Sequence, residues 1–121
     1  MKEQSQVLEW MIKADQSAPC KPTAIDPMIA QLRYDLIKEE LLELGIAANL
    51  TEVADAIGDL LYVVLGTAVA YGIDIDPIFQ EIHRSNMSKF IDGYKRADGK
   101  WMKGPSYSPA NLKPIIDVQC K

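Results

Sequence analysis

Apolar residues recur at helical spacing over four stretches of this chain, and turn or capping residues separate them. Residues 3 to 14 place Val7, Leu8, Met11 and Ile12 on one side of a first helix, with Trp10 at the edge of that stripe. Two close prolines in Ser17-Ala18-Pro19-Cys20-Lys21-Pro22 make the next stretch a loop. Asp26-Pro27 then pairs an N-cap with a proline in the first turn, and predicts a second helix running to Ala47 or Ala48. Asn49-Leu50-Thr51-Glu52 reads as a capping box opening a third helix, which ends near Tyr71 with Gly72 just beyond it. From Ile57 to Val69 this helix is apolar on almost every side, so it is expected at the centre of a bundle or buried against another subunit. Gly66, Ala68 and Ala70 would let a neighbouring helix approach closely.

Asp76-Pro77 repeats the cap-then-proline start and predicts a fourth helix to about Phe90, with Ile78, Phe79, Ile82 and Phe90 inward. Asn86 and Lys89 fall on the same side near its end. After Asp92-Gly93, the turn signals Asp98-Gly99 and Gly104-Pro105 predict an irregular or hairpin-like tail without helical period. The expected fold class is therefore all-α. It is a four- to five-helix bundle in one domain over residues 1–121, with its core at about 24–91 and an irregular C-terminal tail at 92–121.

The acids of the second and third helices break the pattern. Ile29, Leu32, Leu36, Glu40, Glu43 and Ala47 share one narrow stripe, and Asp55, Asp59, Val63, Gly66 and Ala70 share another. Each carboxylate pair thus continues an apolar face, where facing carboxylates are disfavoured unless something positive lies between them. Glu39, Glu40 and Glu43 also sit near the C-terminal end of their helix, where the dipole opposes acids.

Composition narrows the function. A formal charge of −4 argues against a non-specific nucleic-acid or membrane-surface binder, which would normally show a basic face. Residues 1 to 15 do not read as a signal peptide, and the apolar run from Leu60 to Tyr71 falls short of the roughly 20 residues a bilayer requires. Cys20 and Cys120 make neither a disulfide framework nor a metal-ligand spacing, so a reduced, cytoplasmic protein is expected.

Two acids at i,i+3 (Glu40, Glu43) and two at i,i+4 (Asp55, Asp59) on neighbouring helices suit a hard divalent cation, above all Mg2+. Zinc would prefer Cys and His, and a di-iron bundle would need Glu-x-x-His motifs. His83 has Gln80 three residues before it and reads as a surface or packing residue. Lys89, Lys95, Lys100 and Lys103 offer groups for phosphate oxygens. Glu52 is explained by capping and stands as a further ligand candidate. Trp10 reads as a core or interface residue, or as a stacking surface for a base. The competing explanation of the acids is a solvated helix face, with Lys38 pairing Glu39 or Glu43.

Three segments in order carry a resemblance: Glu39-Glu40-Leu41-Leu42-Glu43, then Asp59-Leu60-Leu61-Tyr62-Val63-Val64, then Asn86-Met87-Ser88-Lys89-Phe90. Together with Asp98-Gly99-Lys100 and Lys103-Gly104-Pro105 they resemble the all-α nucleoside triphosphate pyrophosphohydrolases (MazG-like and phosphoribosyl-ATP pyrophosphohydrolase-like), in the short phage and bacterial form. The resemblance implies a homodimer or homotetramer, with two or three Mg2+ or Mn2+ ions per site. It implies hydrolysis of a (d)NTP between the α and β phosphates. By position, Glu40, Glu43 and Asp59 resemble metal ligands, Glu39 the residue that orients or deprotonates water, and Lys89 a phosphate-binding lysine with Asn86 beside it. Lys103 would help hold the leaving group. The usual glutamate three residues before the aspartate is Ala56 here. Asp55 can replace it, or Glu52-Val53-Ala54-Asp55 is itself the motif. Guanine-preferring phage enzymes among the relatives point to dGTP or GTP. The rival from another class is a non-catalytic helical oligomerisation or nucleotide-binding module.

Overall fold

The computed structural model describes residues 1–121, with five α-helices and one two-stranded sheet. The elements are α1 (Lys2–Lys13), α2 (Pro27–Ile46), α3 (Leu50–Ala70) and α4 (Ile75–Met87), then a 3-10 turn at Ser88–Phe90. They are followed by β1 (Tyr94–Lys95), β2 (Trp101–Met102) and α5 (Lys113–Gln119). The all-α class is as the periodicity predicts. The chain separates into two compact units, Met1–Ile75 and Asp76–Lys121.

In the N-terminal unit, α3 packs against both α2 and α1. Local chemistry sets the helix ends. Asp26 Oδ1 accepts from the Met28 N–H at 2.7 Å and caps α2. Asn49 Oδ1 accepts from the Glu52 N–H at 2.9 Å, while Glu52 Oε2 reaches back to the Ala48 N–H at 2.6 Å, closing the reciprocal cap. Past α3, Gly72 takes φ 69°, where a Cβ would overlap the Lys21 carbonyl. The helix so bounded has 21 residues, with the ends that the capping box and Gly72 predict. By length and composition alone it could cross a membrane, but it carries Asp55 and Asp59 and serves as the central helix of its unit.

The core is small: Val7, Met11, Leu65, Val69 and Ala70 are buried together, with Ala18 and Ile75 packed on them. The α2 stripe departs from expectation. Ile29 and Leu32 are exposed, and the one buried residue of α2 is Arg33. Its Nη2 donates to the Val63 carbonyl at 2.9 Å and its Nε to Thr67 Oγ1 at 3.3 Å, both on α3. A guanidinium can lie against a helix backbone only where the neighbour has no side chain, and Gly66 supplies that gap. Arg33 opposite Gly66 and Glu40 beside Asp59 mean that residue numbers rise on one helix as they fall on the other. The two helices are antiparallel, with a register that this arginine pins.

In the C-terminal unit, α4 begins at Ile75, one residue before the expected cap. Its buried residues are Ile78 and Ser85, followed by Ser88, whereas Phe79, Ile82 and Phe90 are exposed. The inward stripe is therefore partly polar because hydroxyls are satisfied there. Ser88 Oγ donates to the Ser85 carbonyl (2.6 Å) and accepts from the Ser108 N–H (2.8 Å), and Ser85 Oγ meets Tyr107 Oη at 3.1 Å. The tail forms the expected hairpin, Tyr94 facing Met102 and Lys95 facing Trp101, and then a short helix, α5, that the sequence pattern did not indicate. Glu81 clamps this unit: it accepts from Arg84 and from the Asn111 N–H, which hold its carboxyl at about 2.

Gly66→Ala should force Arg33 out of its seat. We expect a loss of about 1–3 kcal/mol, typical of overpacking, read as a lower urea midpoint with an unchanged m-value.

Candidate metal centre

Because α2 and α3 run antiparallel in this register, carboxylates separated by 16 to 19 residues in sequence converge. One oxygen each of Glu40, Glu43 and Asp59 lies within 4.8 Å of the others. Glu40 is half-buried, and its Oε2 is the one buried side-chain polar atom in the protein without a hydrogen-bond partner. Glu43 and Asp59 face solvent on one side. No lysine or arginine forms an ion pair with any of the three, nor with Glu39; the four ion pairs lie elsewhere. The pairing of Lys38 with Glu39 or Glu43 that would make this an ordinary solvated face is absent.

The electrostatics follow. Burial pushes the Glu40 carboxyl above its ordinary range, aided by the close approach and charge of Glu43 and by the charges of Asp59 and Glu39. A buried acceptor with no donor, among like charges, is the environment a divalent cation would relieve. The donor set is all oxygen with one open, solvent-facing side, so it fits a hard ion that keeps waters and binds phosphate.

The other acids sit differently. Asp55 is not among the three close carboxylates; it lines a neighbouring hollow of about 370 Å³ together with Glu43, Glu52 and Ala56. Ala56 is buried on the α2-facing side of α3, one turn before Asp59. A residue with a carboxylate there would project toward Glu43, and alanine leaves open space that Asp55 borders. Glu52 borders it too, with one oxygen committed to the α3 cap. Glu39 is exposed. Trp10 is 53% exposed on α1 and belongs to the wall of neither this hollow nor the cavity beside Arg33.

Asn86, Lys89 and Lys103 belong to the C-terminal unit. Lys89 lies in the 3-10 turn and Asn86 in the last turn of α4. Lys103 places its Nζ over the Tyr107 ring, 4.7 Å from the centroid. This unit carries eight basic and five acidic side chains, against five and twelve in the N-terminal unit. His83 is exposed, and both cysteines are free and exposed.

Residues 7–86 match the sequence profile of the phosphoribosyl-ATP pyrophosphohydrolase family, about two thirds of the chain. The chain belongs to that family. It thereby falls within the MazG-like all-α nucleoside triphosphate pyrophosphohydrolases. The match spans α2, α3 and α4, and so every acid of the cluster. An uncharacterized protein of Acanthamoeba polyphaga mimivirus is 43% identical over 75 residues, 57% of this chain, which spans about 30% of that relative's length. Membership of the family implies a pyrophosphohydrolase, and the acid cluster could bind the metal that enzymes of this type use.

Arg33, which seats α2 on α3 behind the acid cluster, is the residue that sequence reasoning missed. A signal was there: an arginine in a stripe facing a helix with glycine at the matching height.

The raised Glu40 value sets a pH dependence. Its folded-state carboxyl holds a proton more tightly than the unfolded one, so stability falls as pH rises from about 4.5 through the raised value. Urea midpoints of metal-free protein should decline across that window. Glu40→Gln should flatten the decline and leave the apoprotein at least as stable at pH 7.

Proposed function

We propose that the protein is a Mg2+-dependent nucleoside triphosphate pyrophosphohydrolase, converting (d)NTP and water to (d)NMP and pyrophosphate. One observation carries this reading: the buried, partnerless Glu40 Oε2 facing two further carboxylates, in a chain of the phosphoribosyl-ATP pyrophosphohydrolase family. Glu40, Glu43 and Asp59 would hold the cation, with Asp55 bordering the space beside Glu43 as a further ligand. When bound, two or three Mg2+ ions, or Mn2+ in their place, neutralise the triphosphate and lower the pKa of a coordinated water.

Each remaining role falls to a side chain. Glu39, exposed next to Glu40, orients the attacking water and accepts its proton. Attack at the α-phosphorus breaks the α–β bridge, and the pyrophosphate leaves with both bridging electrons on its oxygen. Lys89, Asn86 and Lys103, from the basic C-terminal unit, take the phosphate oxygens. Placing Lys103 over Tyr107 holds its ammonium in a defined position until phosphate draws it away.

The protein acts as a homodimer or homotetramer. Leu41, Leu42, Ile57 and Leu61 are more than half exposed, on the two helices that carry the acids. So much apolar surface on α2 and α3 is what a second copy would cover.

Pyrophosphate release is measured with the eight common nucleoside triphosphates and phosphoribosyl-ATP, with Mg2+ and then with EDTA. We expect Mg2+-dependent release from at least one triphosphate. Glu40→Gln and Asp59→Asn should each lower kcat by 100-fold or more (about 3 kcal/mol of transition-state stabilisation). Silence across the panel would favour a non-catalytic nucleotide-binding or oligomerisation module, and turnover of phosphoribosyl-ATP alone would reassign the substrate.

A further inference from the structure

Beyond Arg33, toward the end of α1, the N-terminal unit carries a second cavity of about 260 Å³, open to solvent on one side. Met11, Ile29, Leu32 and Ala70 give it apolar walls, and Arg33 and Asp15 are its charged lining residues. Both deserve an explanation in terms of what they would contact. Arg33 is 7% exposed and has no carboxylate partner. Its Nε and Nη2 are used by Thr67 and Val63, while Nη1 has no acceptor in the protein. Nη1 is also not sealed off, since Glu40 Oε2 is the only buried side-chain polar atom lacking a partner. Nη1 is thus an accessible donor with no acceptor in the protein, and a ligand oxygen in the cavity would accept from it.

Asp15 supplies the second, independent feature. It follows α1 at φ 58°, in the left-handed region, as the Asp15 N–H bonds the Ile12 carbonyl (3.1 Å) and the Gln16 N–H bonds the Met11 carbonyl (2.9 Å). Glycine usually fills this position of the helix terminus. Here an acid occupies it and borders a cavity.

We propose that this cavity receives the base of the nucleotide and selects bases that present a ring carbonyl beside a ring N–H. The inference rests on the pyrophosphohydrolase reading above and names its substrate class. The carbonyl oxygen accepts from Arg33 Nη1, the adjacent N–H donates to the Asp15 carboxylate, and the apolar walls cover the ring faces. Guanine, hypoxanthine, uracil and thymine carry that pattern. Adenine and cytosine carry its reverse, an amino group beside an unprotonated ring nitrogen. In the same pose they would set donor against Arg33 and acceptor against Asp15. Reach is consistent: Arg33 and Glu40 lie seven residues apart on one helix, about 10 Å, so base and α-phosphate can span the two sites.

Two measurements test this. In the first, kcat/KM is compared for GTP, ITP, UTP, ATP and CTP and for their deoxy forms. GTP, ITP and UTP should be favoured over ATP and CTP by at least about 100-fold, in the direction expected where a site's polar groups would otherwise be left unpaired. Asp15→Asn, which keeps a side chain that tolerates left-handed backbone, should shrink that ratio at least tenfold through KM with kcat little changed. In the second, metal-free protein labelled with 13C at its methionine methyls is titrated with inosine and with adenosine, which have no phosphates. The Met11 methyl should shift with inosine and not with adenosine, and Asp15→Asn should abolish the difference. An inosine-specific shift in a protein that hydrolyses no triphosphate would uphold the base site and sink the catalytic reading. Vigorous hydrolysis with equal kcat/KM across the bases and a silent Met11 methyl would do the reverse and overturn this proposal.

Discussion

The seating of Arg33 on the backbone of α3 is the interaction on which the acid cluster depends. Three carboxylates brought within 4.8 Å of one another repel, and no basic side chain lies among them to offset this. Something else must hold α2 against α3. The guanidinium does so two turns away from Glu40, bound to Val63 and Thr67 across the gap at Gly66. A one-residue slip in either helix would both unseat the arginine and scatter the carboxylates. The charge that fixes the register is therefore coupled mechanically to the charges that make the site.

This division of labour gives the helix pair two chemically different ends. One is acidic and open to solvent on one side, as suits a cation that must exchange waters for phosphate oxygens. The other is apolar, with one uncommitted cationic edge. A nucleotide has the same asymmetry, with an anionic chain at one end and a flat, hydrogen-bonding base at the other.

The modest core bears on assembly. Only a handful of apolar residues are buried together, while large apolar side chains along α2 and α3 remain exposed. A 121-residue chain that leaves this much apolar area uncovered forgoes hydrophobic stabilisation a second copy would supply. The N-terminal unit holds both this core and the crowded acids, so the candidate site is built on the elements that carry the core.

Much of this was legible in the chain itself. Caps and breakers act within a few residues, and so Asp26-Pro27, the Asn49–Glu52 box and Gly72 marked their helix ends closely. The convergence of Glu40, Glu43 and Asp59 was likewise readable, because i,i+3 spacing and two matching stripes are local properties joined by one short turn. What the residues could not announce was which side of each stripe faces inward. Periodicity leaves rotation about the helix axis free by a residue or so, which is why Arg33 rather than Leu32 is buried, and Ala56 rather than Asp55. The helix at Lys113–Gln119 and the hydroxyl-lined face of α4 were missed for a related reason: partners distant in sequence, such as Glu81 with Asn111 and Ser88 with Ser108, stabilise them. Sequence determined the helices and the acids by short-range chemistry. Only tertiary packing decided the register and the cavity, since both are set by which side chain fits against a backbone thirty residues away.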